Sequence, residues 1–271
     1  MTSVTPARSV GLPACRSIGA VLLAVMCASC ALQAQSTLTV AAAADLGSAL
    51  REISVNFEKR SGTHVELVFG SSGNLATQIE NGAPFDVFLS ADADYPQRLE
   101  KEQLTVRNSA VMYATGRLVL WAPRLLPSEV QRLGMEALTG PAVRKIAIAN
   151  PQHAPYGQAA VSALRYFKMY DQLQSKMVLG ENVAQAAQFV ISGNADAALV
   201  AFSVVPWPGK SGPGSVYELP PDSYPALRQV GVILKRAEQA PSARAFIEFL
   251  KSEDAARILV HYGFNIPEVE R

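Results

Sequence analysis

Cysteine is nearly missing from this 271-residue chain: Cys15, Cys27 and Cys30 are all there is, and none lies beyond residue 30. Removal of a leader up to residue 34 would take every thiol with it, and with them disulfides, thiolate metal sites and cysteine nucleophiles. Histidine is equally scarce. His64, His153 and His261 stand apart with no H-x-x-x-H spacing, a pattern that favours surface or local hydrogen-bonding roles over metal ligation. There is no Walker loop and no G-x-G-x-x-G after a strand, so no cofactor is expected, and Gly70-Ser71-Ser72-Gly73 falls one residue short of a G-x-S-x-G elbow. Charged residues make up only 17% of the chain and nearly cancel, which gives no basic surface for nucleic acid.

What is present begins with an export signal. Arg8 and Arg16 precede the apolar run at residues 18–28, small residues follow, and cleavage is expected after Ala34. The run is too short to span a bilayer, and no later run is long enough. A competing reading makes Cys30 a lipid-anchoring position, because Ala28 and Ser29 precede it, although Cys27 replaces the usual aliphatic residue. Losing Arg8 and Arg16, and no acid, moves the formal charge from +1 to −1. Residues 35–271 are enough for one large domain or two lobes.

Strands that empty through polar turns into helices recur along the chain, which predicts α/β lobes with parallel sheets. A strand at 38–43 leads to Asp45, placed to cap a helix at 46–59 with Leu50, Ile53 and Phe57 as its apolar stripe. A second strand at 65–69 enters Gly70-Ser71-Ser72-Gly73 and a helix to about residue 81; a third at 83–90 precedes a helix opened by Asp92 and Asp94. Those two acids suit the positive end of a helix better than a metal or acid–base pair. Residues 118–123 read as a strand leaving the first lobe. In the second lobe, strands are expected at 145–149, 177–180 and 195–202, with helices at 159–170 and 184–191. Residues 206–225 form a Gly- and Pro-rich excursion, 230–234 the return crossing, and 241–252 and 254–262 the closing helices. The expected layout is lobe 1 at 35–116, lobe 2 at 117–229, and residues 230–271 returning to lobe 1.

The turn at Gly70-Ser71-Ser72-Gly73 suits an anion. First helical amides lack intrahelical acceptors, the helix dipole points its positive end outward, and glycines let backbone N–H groups come close. The plainer use of such a turn is a serine cap. Similar turns in both lobes suggest helix N-termini converging on one small ligand in a cleft.

Thr39-Val40-Ala41-Ala42-Ala43, Gly70 through Ile79, the block Asn81-Gly82-Ala83-Pro84-Phe85-Asp86-Val87-Phe88-Leu89-Ser90-Ala91-Asp92, and Asn150-Pro151-Gln152-His153-Ala154-Pro155-Tyr156-Gly157 together resemble the periplasmic molybdate-binding proteins of ABC transporters. The likeness runs to Tyr262-Gly263-Phe264. It implies a two-lobed type II binding-protein fold, its lobes joined by two crossing strands, that closes on molybdate or tungstate and hands it to a membrane permease driven by an ATPase. A periplasmic, monomeric receptor without enzymatic activity is expected. The family holds the oxyanion through hydroxyls and backbone N–H groups, with no cationic side chain. Carried over, molybdenum enters as an oxyanion held through Ser72, Tyr156 and Val183, with Ser71, Ala44 and Asp45 completing the cleft lining.

The first turn departs from that pattern. Ala44 and Asp45 stand where the family usually offers a hydroxyl, and Ala201 stands where some members have a tyrosine. Asp45 either turns away to cap its helix, or faces the cleft and accepts a hydrogen bond from a protonated ligand such as hydrogen phosphate. A hydrolase using Ser72 as nucleophile is a third reading, with no base at a recognisable spacing.

Overall fold

The computed structural model describes residues 37–206, 215–238 and 240–267, with residues 1–3 and 5. The expected apolar run, cleavage position and Cys30 lie outside them, as do residues 207–214 of the Gly- and Pro-rich excursion.

The described residues between 37 and 267 pack as one unit containing two five-stranded sheets. The first is built on β1 (Thr37–Ala43), whose run of apolar side chains is buried on both faces, as befits a central strand covered by helices on both sides. β2 (His64–Gly70) and β3 (Val87–Ser90) lie parallel to it, in the register Ala43 opposite Gly70 and Ala42 opposite Leu89. The crossovers are α1 (Gly47–Ser61) and α2 (Ser72–Glu80). Leu50, Ile53 and Phe57 form the buried stripe of α1, each worth roughly 1.5–3 kcal/mol of burial. Gly62, at φ +70°, ends that helix in the left-handed conformation glycine adopts without strain. Asp86 accepts the Thr39 N–H at 2.8 Å, so the acid of the Ala-Pro-Phe-Asp block pins the entry of β3 beside β1. After β3, α3 (Asp94–Lys101) covers the sheet.

The chain leaves the first sheet through β4 (Val111–Thr115), a strand the sequence reading did not anticipate. Residues 118–123, expected as a strand leaving the first lobe with lobe 2 beginning at 117, supply β5 (Leu118–Trp121) of the second sheet, with only Gly116 and Arg117 between it and β4. The segment before residue 140 is structured as well, with α4 at Pro127–Leu133 and a 3-10 helix at Gly134–Thr139. The second sheet adds β6 (Ile146–Ala149), β7 (Met177–Gly180), β8 (Ala197–Ala201) and β9 (Val216–Glu218), with α5 (Pro155–Tyr166), α6 (Tyr170–Leu173) and α7 (Val183–Ile191) packed around it. β10 (Arg228–Ile233) returns to the first sheet, followed by α8 (Pro241–Leu250) and α9 (Glu253–His261).

Both sheets are mixed. The expected parallel pairing holds for β2-β1-β3 and for β7-β6-β8, while β10 and β4, and likewise β5 and β9, add antiparallel strands at one side. Those antiparallel strands flank the crossings, where a direct passage between sheets reverses the chain. The C-terminal ends of β1, β2 and β3 meet those of β6 and β7, and one core cluster takes in Ala43, Ala44 and Ala91 together with the second sheet.

Candidate functional site

At that meeting point lies a small cavity of about 10 Å³, lined by residues 43–45, 70–72, 91, 154–156, 182 and 183. Ala44, Asp45, Ser71, Ser72, Tyr156 and Val183 are thus brought to one place, and no lysine, arginine or histidine is among the lining residues.

All the lining segments except Ala91 open a helix or a 3-10 turn. Ser72 is the first residue of α2, Tyr156 the second of α5 behind Pro155, and Val183 the first of α7. α5 therefore starts four residues earlier than the sequence reading had it. Proline is tolerated at a first helical position because its absent N–H needs no partner there. Asn182 caps α7 by accepting the Gln185 N–H at 3.0 Å, which fixes the direction of the amides in front of it. Among the described residues, no turn, loop or cap bond engages the N–H of Ala44, Ser72, Tyr156 or Val183. The Ser72 hydroxyl accepts the Ala91 N–H at 3.0 Å, which occupies a lone pair and leaves its proton to donate. Neutral donors at helix starts suit an anion, and a buried cavity strengthens each bond.

Asp45 does not cap a helix. It sits in the middle of a 3-10 turn, Ala44–Leu46, and neither that turn nor α1 has a side-chain cap. The carboxyl is 1% exposed and is directed at the return strand, where Oδ2 accepts from Gln229 Nε2 at 2.9 Å. Desolvation pushes its pKa up to about 7, against smaller opposing effects from Tyr156, Gln229 and the backbone N–H groups of Asp45 and Leu46. The Tyr156 hydroxyl lies near the carboxyl, yet Tyr156 Oη, Asp45 Oδ1 and Gln229 Oε1 are all buried without a hydrogen-bond partner. Gly116, between the sheets, makes room for that tyrosine, since a Cβ there would stand 2.0 Å from its Oη. The side chain of Tyr156 thus reaches the hinge, and its backbone remains at the cavity.

A second set of contacts crosses the mouth of the cleft. The Gly73 N–H donates to the His153 carbonyl at 2.8 Å, Ser71 Oγ meets His153 Nδ1 at 2.8 Å, and Asn74 Nδ2 donates to Glu181 Oε1. His153 Nε2 stands 3.7 Å from the same Glu181 oxygen. Ser71 is therefore at the helix cap position with its hydroxyl on His153, leaving the Ser72 hydroxyl as the one free to turn inward.

Residues 38–265 match the model of the bacterial extracellular solute-binding protein family. The chain belongs to that family. The solute-binding protein is 41% identical over 250 residues to the molybdate-binding protein ModA of Azotobacter vinelandii, covering 92% of this chain and 96% of that one. It is 37% identical over 246 residues to the molybdate-binding protein ModA of Rhodobacter capsulatus, covering 91% and 95%. The solved structure of the Azotobacter vinelandii periplasmic molybdate-binding protein superposes with a TM-score of 0.80 at 34% identity, over 85% of this chain and all of that one. The relatives are thus binding proteins, and the fold is theirs: two mixed, helix-flanked sheets.

Sequence reasoning missed the hinge and mouth residues of this solute-binding protein. Gln229 and Gly116 carry no motif, and their roles depend on strands that meet only in the fold. His153 falls within the Asn150–Gly157 block, where isolated histidines favour surface or local hydrogen-bonding roles, and the lack of H-x-x-x-H spacing says nothing about a partner 82 positions away. Ser71, His153 and Glu181 stand in a chain that invites comparison with a nucleophile, base and acid. The serine and histidine come from opposite lobes, and Glu181 is 59% exposed, which fits a clasp better than a catalytic triad.

Proposed function

We propose that this protein is an exported receptor that captures molybdate, or the near-identical tungstate, in the cleft between the two sheets and delivers it to an ABC permease and its ATPase. The observation that carries the reading is the convergence of helix-start amides at Ala44, Ser72, Tyr156 and Val183, with the Ser72 hydroxyl, on one buried cavity without a cationic side chain. These groups hold the oxygens of the anion and make no bond to the metal. The named binding role of two relatives above 35% identity supports the same ligand. Capture involves no covalent step, and the receptor acts as a monomer in the periplasm after removal of residues 1–34, or held to a membrane through Cys30.

Lobe 1 comprises residues 35–116 and the return from about residue 230, and lobe 2 the segment between. Closure swings them about Gly116–Arg117 and the stretch before β10. The hydrogen phosphate alternative is not supported: the relatives are molybdate-binding proteins, and Asp45 Oδ2 already accepts from Gln229. Titration of the ligand-free mature protein with molybdate, tungstate, sulfate and phosphate tests the reading. One-to-one heats from the first two and none from sulfate are expected; phosphate heat without molybdate heat would overturn it.

A further inference from the structure

We propose that Asp45 is a carboxylic acid, not a carboxylate, in the closed, anion-loaded protein, so that each oxyanion captured near neutral pH brings one proton in with it. The inference rests on the molybdate reading and adds to it a partner ion, the proton, and its site.

The geometry begins with a buried carboxyl that has no cation against it. Asp45 is 1% exposed; its Oδ1 and Gln229 Oε1 are buried acceptors without donors, and the Tyr156 and Tyr113 hydroxyls nearby are also without partners. As a carboxylate, Asp45 would hold a full charge out of water with the Gln229 Nε2 hydrogen bond as its side-chain partner. A proton on Oδ1 converts one of those acceptors into a donor, which can then serve either Gln229 Oε1 or Tyr156 Oη. Buried charges and unpaired polar groups are costly, and this one protonation removes the charge and supplies a donor.

Electrostatics points the same way. Asp45 is one of the residues lining the cavity, so a carboxylate there would stand close to a bound dianion with no cation among the lining residues. The groups facing it are Tyr156 from α5, Tyr113 from β4, Gln229 from β10 and its own turn's N–H groups; Ser203 donates to its backbone oxygen at 2.8 Å. Tyr224 acts on Tyr156. The nearby cations are engaged elsewhere, with Arg51 over the Phe69 ring and Arg117 paired with Glu218. Burial alone has already brought the carboxyl to about 7, and a dianion alongside raises it further. Without the anion that extra push is gone, and above about pH 7 the proton returns to solvent. Balance is simple: the proton comes from solvent to Oδ1 on closure and goes back on opening, and no other bond changes.

The experiment is calorimetric titration of ligand-free mature protein with sodium molybdate at pH 7 to 8.5, in buffers of different ionisation enthalpy. Buffer-dependent heats corresponding to uptake approaching one proton are expected, with Kd rising about tenfold per pH unit above the free-state pKa. Asp45→Asn should bind molybdate without uptake and with a flat pH profile, whereas His153→Gln should keep the uptake. Heats independent of buffer with a pH-independent Kd would overturn the proposal, as would uptake surviving in Asp45→Asn or vanishing in His153→Gln. Replacing sodium by choline at constant ionic strength should change nothing; a Kd that follows sodium would put a metal cation on Asp45 instead. Wild-type protein that ignores molybdate would overturn the receptor reading itself, while molybdate binding without uptake would overturn this inference alone. The wild-type buffer dependence decides even where a variant fails to fold.

Discussion

The N–H of Gly73 donates to the carbonyl of His153 at 2.8 Å, and this bond joins the first turn of α2 to the loop before α5 across the mouth of the cleft. The approach is that close because Gly73 has no side chain: a Cβ would stand 2.6 Å from the His153 oxygen and 2.6 Å from Tyr95 Oη. Gly73→Ala should therefore prop the lobes apart. We expect Kd for molybdate to rise on the order of tenfold or more, about 1.4 kcal/mol, while the isolated lobes keep their packing. Titration together with solution scattering checks this; a variant that closes and binds like wild type would refute it.

Asn74 and His153 add side-chain bonds to the same mouth, to Glu181 and Ser71. They form only when the lobes meet, so they slow opening without helping the anion arrive. His153→Ala and Asn74→Ala should each speed molybdate release roughly two- to tenfold, the range of a single net hydrogen bond, with little change in the association rate. Stopped-flow displacement by tungstate would measure both constants.

The two neighbouring serines should separate in their effects. Ser72 holds the Ala91 N–H and offers its own proton to the cavity, whereas the Ser71 hydroxyl is spent on His153. Ser72→Ala removes a donor to a charged ligand and leaves a buried amide without its acceptor, so Kd should rise roughly ten- to a hundredfold, about 1.5–3 kcal/mol. Ser71→Ala should cost less and act mainly on release. Equal losses of affinity in the two variants would mean that both hydroxyls face the anion.

The difference between Ser71 and Ser72 marks how far the sequence could be read. The strand-turn-helix rhythm located the helix starts that line the cavity, because apolar periodicity and Gly-Ser turns are local signals. It could not assign a direction to a hydroxyl, since that depends on Ala91 and His153, residues brought in by other strands. β4 went unread for the same reason: Val111–Thr115 has a weak apolar pattern and is held in place by β10, more than a hundred residues later. Asp45 looked like a cap because an acid before an apolar stripe usually is one. Its partner Gln229 lies 184 positions away, and burial rather than helix geometry decides its role.

That burial leaves a mark on stability. Asp45 titrates near 3.8 in an unfolded chain and near 7 in the folded one, with desolvation the main cause. Between those values the folded protein keeps a proton that the unfolded chain has released, so N binds more protons than U and stability falls as pH rises. The contribution is fully present below about pH 4 and is lost through pH 7, at up to roughly 1.4 kcal/mol per pH unit. Asp92, pushed up to about 6 by burial, acts in the same sense, and Asp196, lowered by backbone N–H groups and nearby arginines, acts in the opposite one. Both are common to wild type and Asp45→Asn, so their effects cancel in the difference. Urea midpoints of the ligand-free proteins, measured from pH 4.5 to 7.5, should show the variant gaining on wild type as pH rises. Parallel curves would mean that Asp45 stays ionised and finds a stabilising partner that offsets its burial.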